Sequence, residues 1–449
     1  MQVWRARETL DSRQQPARVG EVLVSGVVRT KDSALAVETG ALYEAKTWGE
    51  VVQRAHMAAR HLEHVGLFKK VEVLIAKTET GLSDRNESPS PMSSPQFSVC
   101  FLGEEPGSMK ENLWLMTDNK GEAEATLEIG RENAYGSGES VSVNGTWGIK
   151  GTTLFNLEVK KPFLGWQKYA DTSLTLFRSR QWFPHNAFTS LETGLSARLN
   201  YRSFGFFQHS FGYNTVWRRL DSLPGAPFEV VEQSGHSMKN SVETGFGFDS
   251  MDSRTLPSSG VSMRYSLEAA NPPLLGGDVG FWKNAVDLKA ATTLGLLGSV
   301  LAASLRCAHV APTSGRTLPM PDRVYLGGAT SLRGYDLSGV GPEKDKAYLG
   351  GMASWAAALH CFQPLLPFIY GHLFACAGNV QKVDYNRSGS LKDTASVLLT
   401  RPRASVGAGV AVKVGEFFRF EVNYCWPLNF RAGDAIRPGI QFGVGIDFL

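Results

Sequence analysis

Long apolar runs are missing from this 449-residue chain. It contains no stretch of about 18 uncharged apolar residues, so transmembrane helices are excluded. Mean hydropathy is −0.15. A membrane is not thereby excluded, because a transmembrane β-barrel alternates apolar-out with polar-in and averages to a soluble-looking hydropathy. An excess of either charge is also missing. The 46 basic and 43 acidic residues leave a net charge of +3, too balanced for nucleic-acid binding or strong attraction to anionic lipid. Cysteine is scarce: Cys100, Cys307, Cys361, Cys376 and Cys425 are scattered and odd in number. With no CxxC and no Cys/His metal spacing, neither a disulfide framework nor a metal centre is expected, and strand cysteines read as small hydrophobes. The opening residues MQVWRARETLDSRQQPARVG lack the apolar core of a secretory signal, and Glu8 and Asp11 argue against a transit peptide. Residues 1–18 read as a flexible tail. No P-loop, GxSxG elbow, HExxH or supported carboxylate pair occurs, so no cofactor, no ATP and no enzyme chemistry are expected.

What is present begins with a small mixed module. Val22 and Val24 alternate in GEVLVSGVV, a strand. In TWGEVVQRAHMAARHLEHVG (47–66), Thr47 and Glu50 form a capping-box pattern. Val51, Ala55, Ala58, Leu62 and Val65 make one apolar stripe, and Gly66 is a natural stop. His56, His61 and His64 fall on or near this helix; a solvated face is expected rather than a metal site. LFKKVEVLIAK (67–77) and QFSVCFLGEE (96–105) read as two more strands, separated by a Ser/Pro-rich insertion over about 78–95 read as disordered. This β-α-β-β order over residues 19–106 resembles a POTRA domain. Such a module offers strand edges that pair with extended peptides.

From about residue 108 the period is two. Leu191, Thr193, Leu195, Ala197, Leu199 and Tyr201 oppose Glu192, Gly194, Ser196, Arg198 and Asn200. Val242, Thr244, Phe246 and Phe248 oppose Glu243, Gly245, Gly247 and Asp249, while Phe418, Phe420, Val422 and Tyr424 oppose Arg419, Glu421 and Asn423. Strands of about 9–14 residues, each with one charged face, are hard to pack around a single shared core, as a soluble sandwich requires. A closed barrel with lipid outside and water inside accommodates them all. The chain therefore reads as mostly β: a sixteen-stranded antiparallel transmembrane β-barrel over 108–449 with one N-terminal POTRA-like domain. Eleven strands, beginning near 109–118, precede a long loop. Five follow it, at about 347–361, 367–380, 403–414, 417–426 and 438–449. Trp147, Trp166 and Trp182 near strand ends suit interfacial belts.

That loop, DRVYLGGATSLRGYDLSGVGPEKDKAYLGG (322–351), is too long for a hairpin turn. At its centre Leu332-Arg333-Gly334-Tyr335 sets one charge among small residues. A solvated surface loop is the plain reading. A loop folded into the lumen, with Arg333 bonded to the wall, Gly334 turning tightly and Tyr335 packed against it, is the functional one. The motif resembles the (V/I/L)-R-G-(F/Y) sixth-loop motif of the barrel-assembly superfamily that includes bacterial BamA, whose members carry N-terminal POTRA domains and sixteen-stranded barrels. One such domain, with LGGATSLRGYDLSGVGP and EVNYCWPLNF, is similar to the mitochondrial branch, which forms the core of the sorting and assembly machinery (SAM).

The resemblance implies a function. Family members pair the loop arginine with an acid in F-x-D-x-G; here the matching stretch is Phe374-Ala-Cys376-Ala-Gly378, with cysteine at the acidic position. Glu421, on the lumen face by alternation, is the expected substitute, and a charge swap with Arg333 is expected to restore what either change loses. Gln441, Gly443, Ile446 and Phe448 fit the mitochondrial β-signal, with Phe442, Val444, Ile446 and Phe448 facing lipid. A glycine-weakened seam between first and last strands is expected to open and template a client strand. The implied partners are porin-like β-barrel precursors, accessory SAM subunits and outer-membrane lipid. The implied place is the mitochondrial outer membrane, with the POTRA domain in the intermembrane space. The alternatives are a metabolite porin, a polypeptide-translocating pore of the same superfamily, and a soluble β-rich enzyme. A porin needs neither the N-terminal module nor the inserted loop, the translocating pores carry more POTRA domains, and the enzyme lacks a motif.

Overall fold

The computed structural model describes the chain except residues 1–13, 79–94, 108, 118–122, 166–168, 296–297, 314–315, 384–395, 397, 416–417 and 446–447. Most of the expected tail and insertion therefore lie outside the described residues, as do Trp166 and Ile446. The chain divides into two compact units. One takes Met1–Asn112, Glu128–Val143 and Leu157–Ser173; the other takes Leu113–Leu127, Asn144–Asn156 and Leu174–Leu449.

In the first unit, β1 (Arg18–Ser25) is followed by α1 (Asp32–Thr39), α2 (Trp48–His64), β2 (Lys70–Lys77) and β3 (Gln96–Glu104). The strand order is β1-β3-β2, with β1 parallel and β2 antiparallel to β3. Folded structure starts before residue 19: Ala17 is buried and bonds Lys46 O through its N–H. The stripe on α2 is as read. Val51, Ala55, Ala58 and Leu62 are buried with Val99 and Phe101 of β3. Thr47 Oγ1 accepts from Glu50 N at 3.3 Å, while Glu50 reaches back to Lys46 N at 2.9 Å, one residue before the usual capping-box partner.

Two departures share a cause. The sequence reading has no helix at 32–39, because DSALAVET is short, lacks a side-chain cap and has little apolar periodicity. Yet α1 covers one flank of α2, so His61 is not solvated. It is buried with Nδ1 3.4 Å from Glu38 of α1 and its ring against Tyr169. His56 and His64 are exposed, as expected. The unit also exceeds the expected 19–106. Asn133 donates to Thr30 Oγ1 (2.8 Å), Lys31 N to Gly136 O (2.8 Å) and Gly165 N to Glu38 (2.6 Å), which draws in two later turns. Glu105 accepts from the N–H groups of Val28 (3.0 Å), Arg29 (3.0 Å) and Thr30 (2.9 Å) and from the Thr30 hydroxyl (2.6 Å). Burial pushes its carboxyl up, but these donors outweigh it and hold the pKa down at about 2.

Sixteen strands form one sheet. The first eleven are β4 (Lys110–Thr117), β5 (Ala123–Arg131), β6 (Ser140–Gly148), β7 (Thr153–Pro162), β8 (Asp171–Phe183), β9 (Phe188–Ser203), β10 (Phe207–Ser222), β11 (Gly235–Asp249), β12 (Gly260–Ala270), β13 (Phe281–Thr293) and β14 (Val300–Pro312). A long loop carrying the two-residue strands β15 (Glu343–Lys344) and β16 (Ala347–Tyr348) follows. Then come β17 (Ala353–Leu366), β18 (Ile369–Gln381), β19 (Arg403–Val414), β20 (Phe418–Asn429) and β21 (Gly439–Gly445). Sheet neighbours are neighbours in sequence, β14 pairs β17 across the loop, and the order ends on β4 and β21. Both β9 and β10 run sixteen residues, whereas β21 spans seven, Gly439–Gly445, and residues 448–449, expected within it, lie outside it.

Burial runs opposite to that of a soluble protein. On β20, Arg419, Glu421 and Asn423 are buried, while Tyr424 and Trp426 are exposed. On β18, Leu373 is exposed between buried His372 and Phe374. Polar residues turned in and apolar residues left bare are stable only where lipid covers the outside. Among the described residues no helix is long and apolar enough to cross a membrane. The largest buried cluster lies against the inner face: loop residues Val324, Leu326, Leu332, Tyr335 and Val340 pack with Phe281, Val310, Phe374, Cys376 and Val380.

Candidate functional site: the loop and the wall it meets

The loop is pinned by its own backbone before any side chain acts. Val324 pairs with Gly351 and Leu326 with Val340, while Tyr335 bridges to Ile436 in the β20–β21 connection. Gly334 has φ +83°, and a Cβ there would lie 3.2 Å from Ser405 Cβ, so the turn requires glycine. The turn delivers Arg333 inward, 1% exposed.

Arg333 meets Glu421, which is fully buried on β20. Nε and Nη2 donate to Oε2 at 3.2 and 2.9 Å. Glu421 is shared: Arg419 Nη2 lies 2.8 Å from Oε1, and Asn423 Nδ2 donates to Oε2 at 2.8 Å. The Arg333 guanidinium also lies 5.2 Å from the Phe374 ring centre and 5.5 Å from that of Phe448, cation–π contacts at a buried cation. Cys376, which stands where the family pattern has an acid, has Sγ 3.0 Å from Ser405 Oγ and 3.9 Å from Arg333 O; Ser405 donates to that same carbonyl. The β18 position thus supports the loop backbone, and the charge it lacks is supplied two strands away. Gly378 admits the loop, since a Cβ would fall 3.1 Å from Leu326 Cδ2. Tyr335 donates to Asn429 O.

The edge strand joins the same constellation. Gln441 accepts from Gly334 N (3.0 Å) and donates to Tyr335 O (3.1 Å). Gly443 packs closely on Ala329: a Cβ would lie 3.3 Å from Ala329 Cβ and 3.1 Å from Phe448, so even alanine would press on both. Phe448 corrects an expectation. It does not face lipid but is buried, its ring 4.0 Å from the Arg419 guanidinium. The strand is described as far as Gly445, and Phe448 lies outside it, so strand alternation does not set the direction of its side chain. Leu449 N bonds Thr330 O at 2.9 Å, and Lys289 donates to Phe448 O at 2.8 Å. Ile446 lies outside the described residues.

Sequence reasoning missed His360 and His372. His360 Nε2 is 2.6 Å from Leu449 O, His360 Nδ1 is 2.9 Å from His372 Nε2, and His372 Nδ1 is 2.8 Å from Asn423 Oδ1. A continuous polar chain therefore runs from Leu449 to Glu421 and Arg333. The register His360↔Phe374 and Phe362↔His372 across the β17–β18 hairpin would have revealed it.

A sixteen-stranded sheet, apolar outside and polar inside, with an arginine loop packed on its inner face, defines a membrane protein of the β-barrel class. The Omp85 superfamily domain matches residues 133–448. Sorting and assembly machinery component 50 homolog A of Xenopus laevis is 33% identical over 444 residues, covering 96% of this chain and 90% of that protein. The Homo sapiens homologue is 32% identical with the same coverage. Among solved structures, BamA from Haemophilus ducreyi lacking POTRA domains 1-3 shares the fold at a TM-score of 0.78, with 18% identity over 96% of this chain and 84% of that one. The chain belongs to the Omp85 superfamily and, within it, to the sorting and assembly machinery component 50 family.

Proposed function

We propose that this protein folds and inserts β-barrel precursors into the mitochondrial outer membrane. In this reading a precursor strand pairs at the seam between β4 and β21, and the new barrel grows hairpin by hairpin before it leaves. The similarity to component 50 homologues across 96% of the chain carries the proposal. Support at the site comes from Gln441: the edge strand that would receive the client is bonded directly to the Arg333 turn. Both sheet edges present backbone groups that template a strand, and barrel closure in lipid supplies the driving force without ATP. Leu332, Arg333, Gly334 and Tyr335 are then the working part of the loop. Phe374, Cys376, Gly378 and Glu421 form its docking wall, and Gln441, Gly443 and Phe448 form the gate. The N-terminal module, read as a POTRA domain in the intermembrane space, receives precursors, and accessory SAM subunits complete the machine.

The test is import of radiolabelled porin precursor into mitochondria depleted of this protein. Porin is expected to cross the membrane yet not reach its mature complex, with rescue by the wild-type chain and not by Arg333→Ala. Normal porin assembly without the chain would overturn the proposal in favour of a metabolite or polypeptide pore.

A further inference from the structure

The loop carries a second buried charge, eleven residues before Arg333 in the sequence. Asp322 sits in a short turn, Met320–Asp322, and is almost completely buried. Its carboxylate meets the opposite side of the sheet's inner face. Arg218 of β10 donates from Nη1 to Oδ2 at 2.8 Å and from Nη2 to Oδ1 at 3.4 Å. Lys239 of β11 lies 3.5 Å from Oδ1. Behind them, Glu192 of β9 is 2.8 Å from Arg218, and Glu268 of β12 is 2.9 Å from Lys239. Lys283 of β13 adds its field to those of Arg218 and Lys239 at Asp322. The wall here sets three cations against two carboxylates, and the loop supplies the third. At the other end the signs reverse: the loop brings a cation, Arg333, to the wall's carboxylate, Glu421.

We propose that Asp322 is a positioning residue for Arg333, and that the loop is a two-ended ionic strut between β9–β13 and β18–β21. With Asp322 fixed, Arg333 is held on a short tether of ordered backbone, including the Val324–Gly351 and Leu326–Val340 bridges. A short tether raises the local concentration of one anchor at its site; releasing the other lengthens the tether and lowers it. The opposite polarity of the two ends permits only one orientation, since a reversed or slipped loop would set Asp322 against Glu421 and Arg333 against Arg218. The strut further lets a displacement of the β9–β13 wall reach the edge strand through the Gly334–Gln441 bond. This inference rests on the reading of the Arg333 loop as the working part, but the anchor is measurable without it.

Native thiols report on docking. Cys376 and Cys425 are buried beneath the loop, Cys376 in contact with Arg333 O. The experiment measures labelling of these two cysteines by a water-soluble maleimide, read peptide by peptide by mass spectrometry, on the full chain in its membrane. Asp322→Asn is the variant, because it keeps shape and leaves Arg218 and Lys239 their own carboxylates. Labelling is expected to rise about tenfold over wild type, approaching that of Arg333→Ala. Asp322→Glu, which keeps the carboxylate facing Arg218 and Lys239, is expected to stay closer to wild-type protection than Asp322→Asn, a rescue by charge that general misfolding would not show. Wild-type protection in Asp322→Asn, or equal exposure in Asp322→Glu and Asp322→Asn, overturns the proposal. Porin assembly is followed in parallel. Exposed thiols with normal assembly would sustain the anchor and sink the loop's role in insertion.

Discussion

At the residue scale, Glu421 is the centre of the site because two guanidiniums share it. That Glu421 faces inward was legible from the period of FFRFEVNYCW, and so was the absence of an acid at Cys376. The sharing was not, because Arg419 and Asn423 look like ordinary lumen residues until a loop seals them from water. It changes the expected outcome of a charge swap. Arg333→Glu with Glu421→Arg restores one pair but sets the new arginine beside Arg419 and the Asn423 amide donor, so the double variant is expected to remain defective. The single changes are ordered. Glu421→Gln strands two buried guanidiniums, and breaking a buried pair costs roughly 3–5 kcal/mol. Arg333→Met costs less, because Arg419 still holds Glu421 at 2.8 Å. The temperature at which the heat-modifiable folded band disappears on a gel should therefore fall further for Glu421→Gln than for Arg333→Met. Equal shifts, or the reverse order, would contradict the shared-carboxylate account.

At the element scale, strand existence was legible because lipid on one face and water on the other enforce period two over many residues. The positions of β19 and β20 follow it closely. Endings were harder. In GIQFGVGIDFL the alternation continues on paper through Phe448, but Phe448 lies outside β21 and is buried, because two arginines offer its ring a better contact than lipid. α1 escaped notice for the converse reason: with one turn of apolar residues and no cap, it exists through packing on α2. Its connection to β1 is held by Glu105, and there a pH dependence follows. The Glu105 pKa is lowered from 4.5 to about 2, so its contribution to stability is fully present above 4.5 and is lost as pH falls toward 2. Hydrogen exchange at Val28–Thr30, compared between wild type and Glu105→Gln at each pH so that intrinsic rates cancel, should show wild-type excess protection at pH 6. That excess should shrink between pH 4.5 and 2. A constant ratio across that window would remove Glu105 from the account.

At the scale of the whole molecule, pairing strength is distributed unevenly around the sheet. In its middle, β9 and β10 share sixteen residues of register, whereas β20 and β21 share seven. Each lost residue removes ladder hydrogen bonds and cross-strand contacts worth a few tenths of a kcal/mol or more, so β21 parts from β20 more readily than β9 from β10. The loop contributes from inside: Gln441 bonds the turn that Arg333 anchors and Gly443 packs on Ala329, so edge-strand order is expected to follow loop docking. A seam held mainly from within opens when the loop shifts, whereas one held by its own ladder does not. Cysteines introduced one on β4 and one on β21, scanned across Lys110–Thr117 and Gly439–Gly445 and oxidised in the membrane, test this directly. Pairs that cross-link should block assembly of a porin precursor, and reductant should release the block. They should also cross-link more slowly in Arg333→Ala, because an undocked loop leaves β21 less ordered. A locked seam that assembles porin at the reduced rate would mean that clients do not pass between β4 and β21. Cross-linking unchanged by Arg333→Ala would mean that β21 is held by its own ladder, with the loop serving some purpose other than the seam.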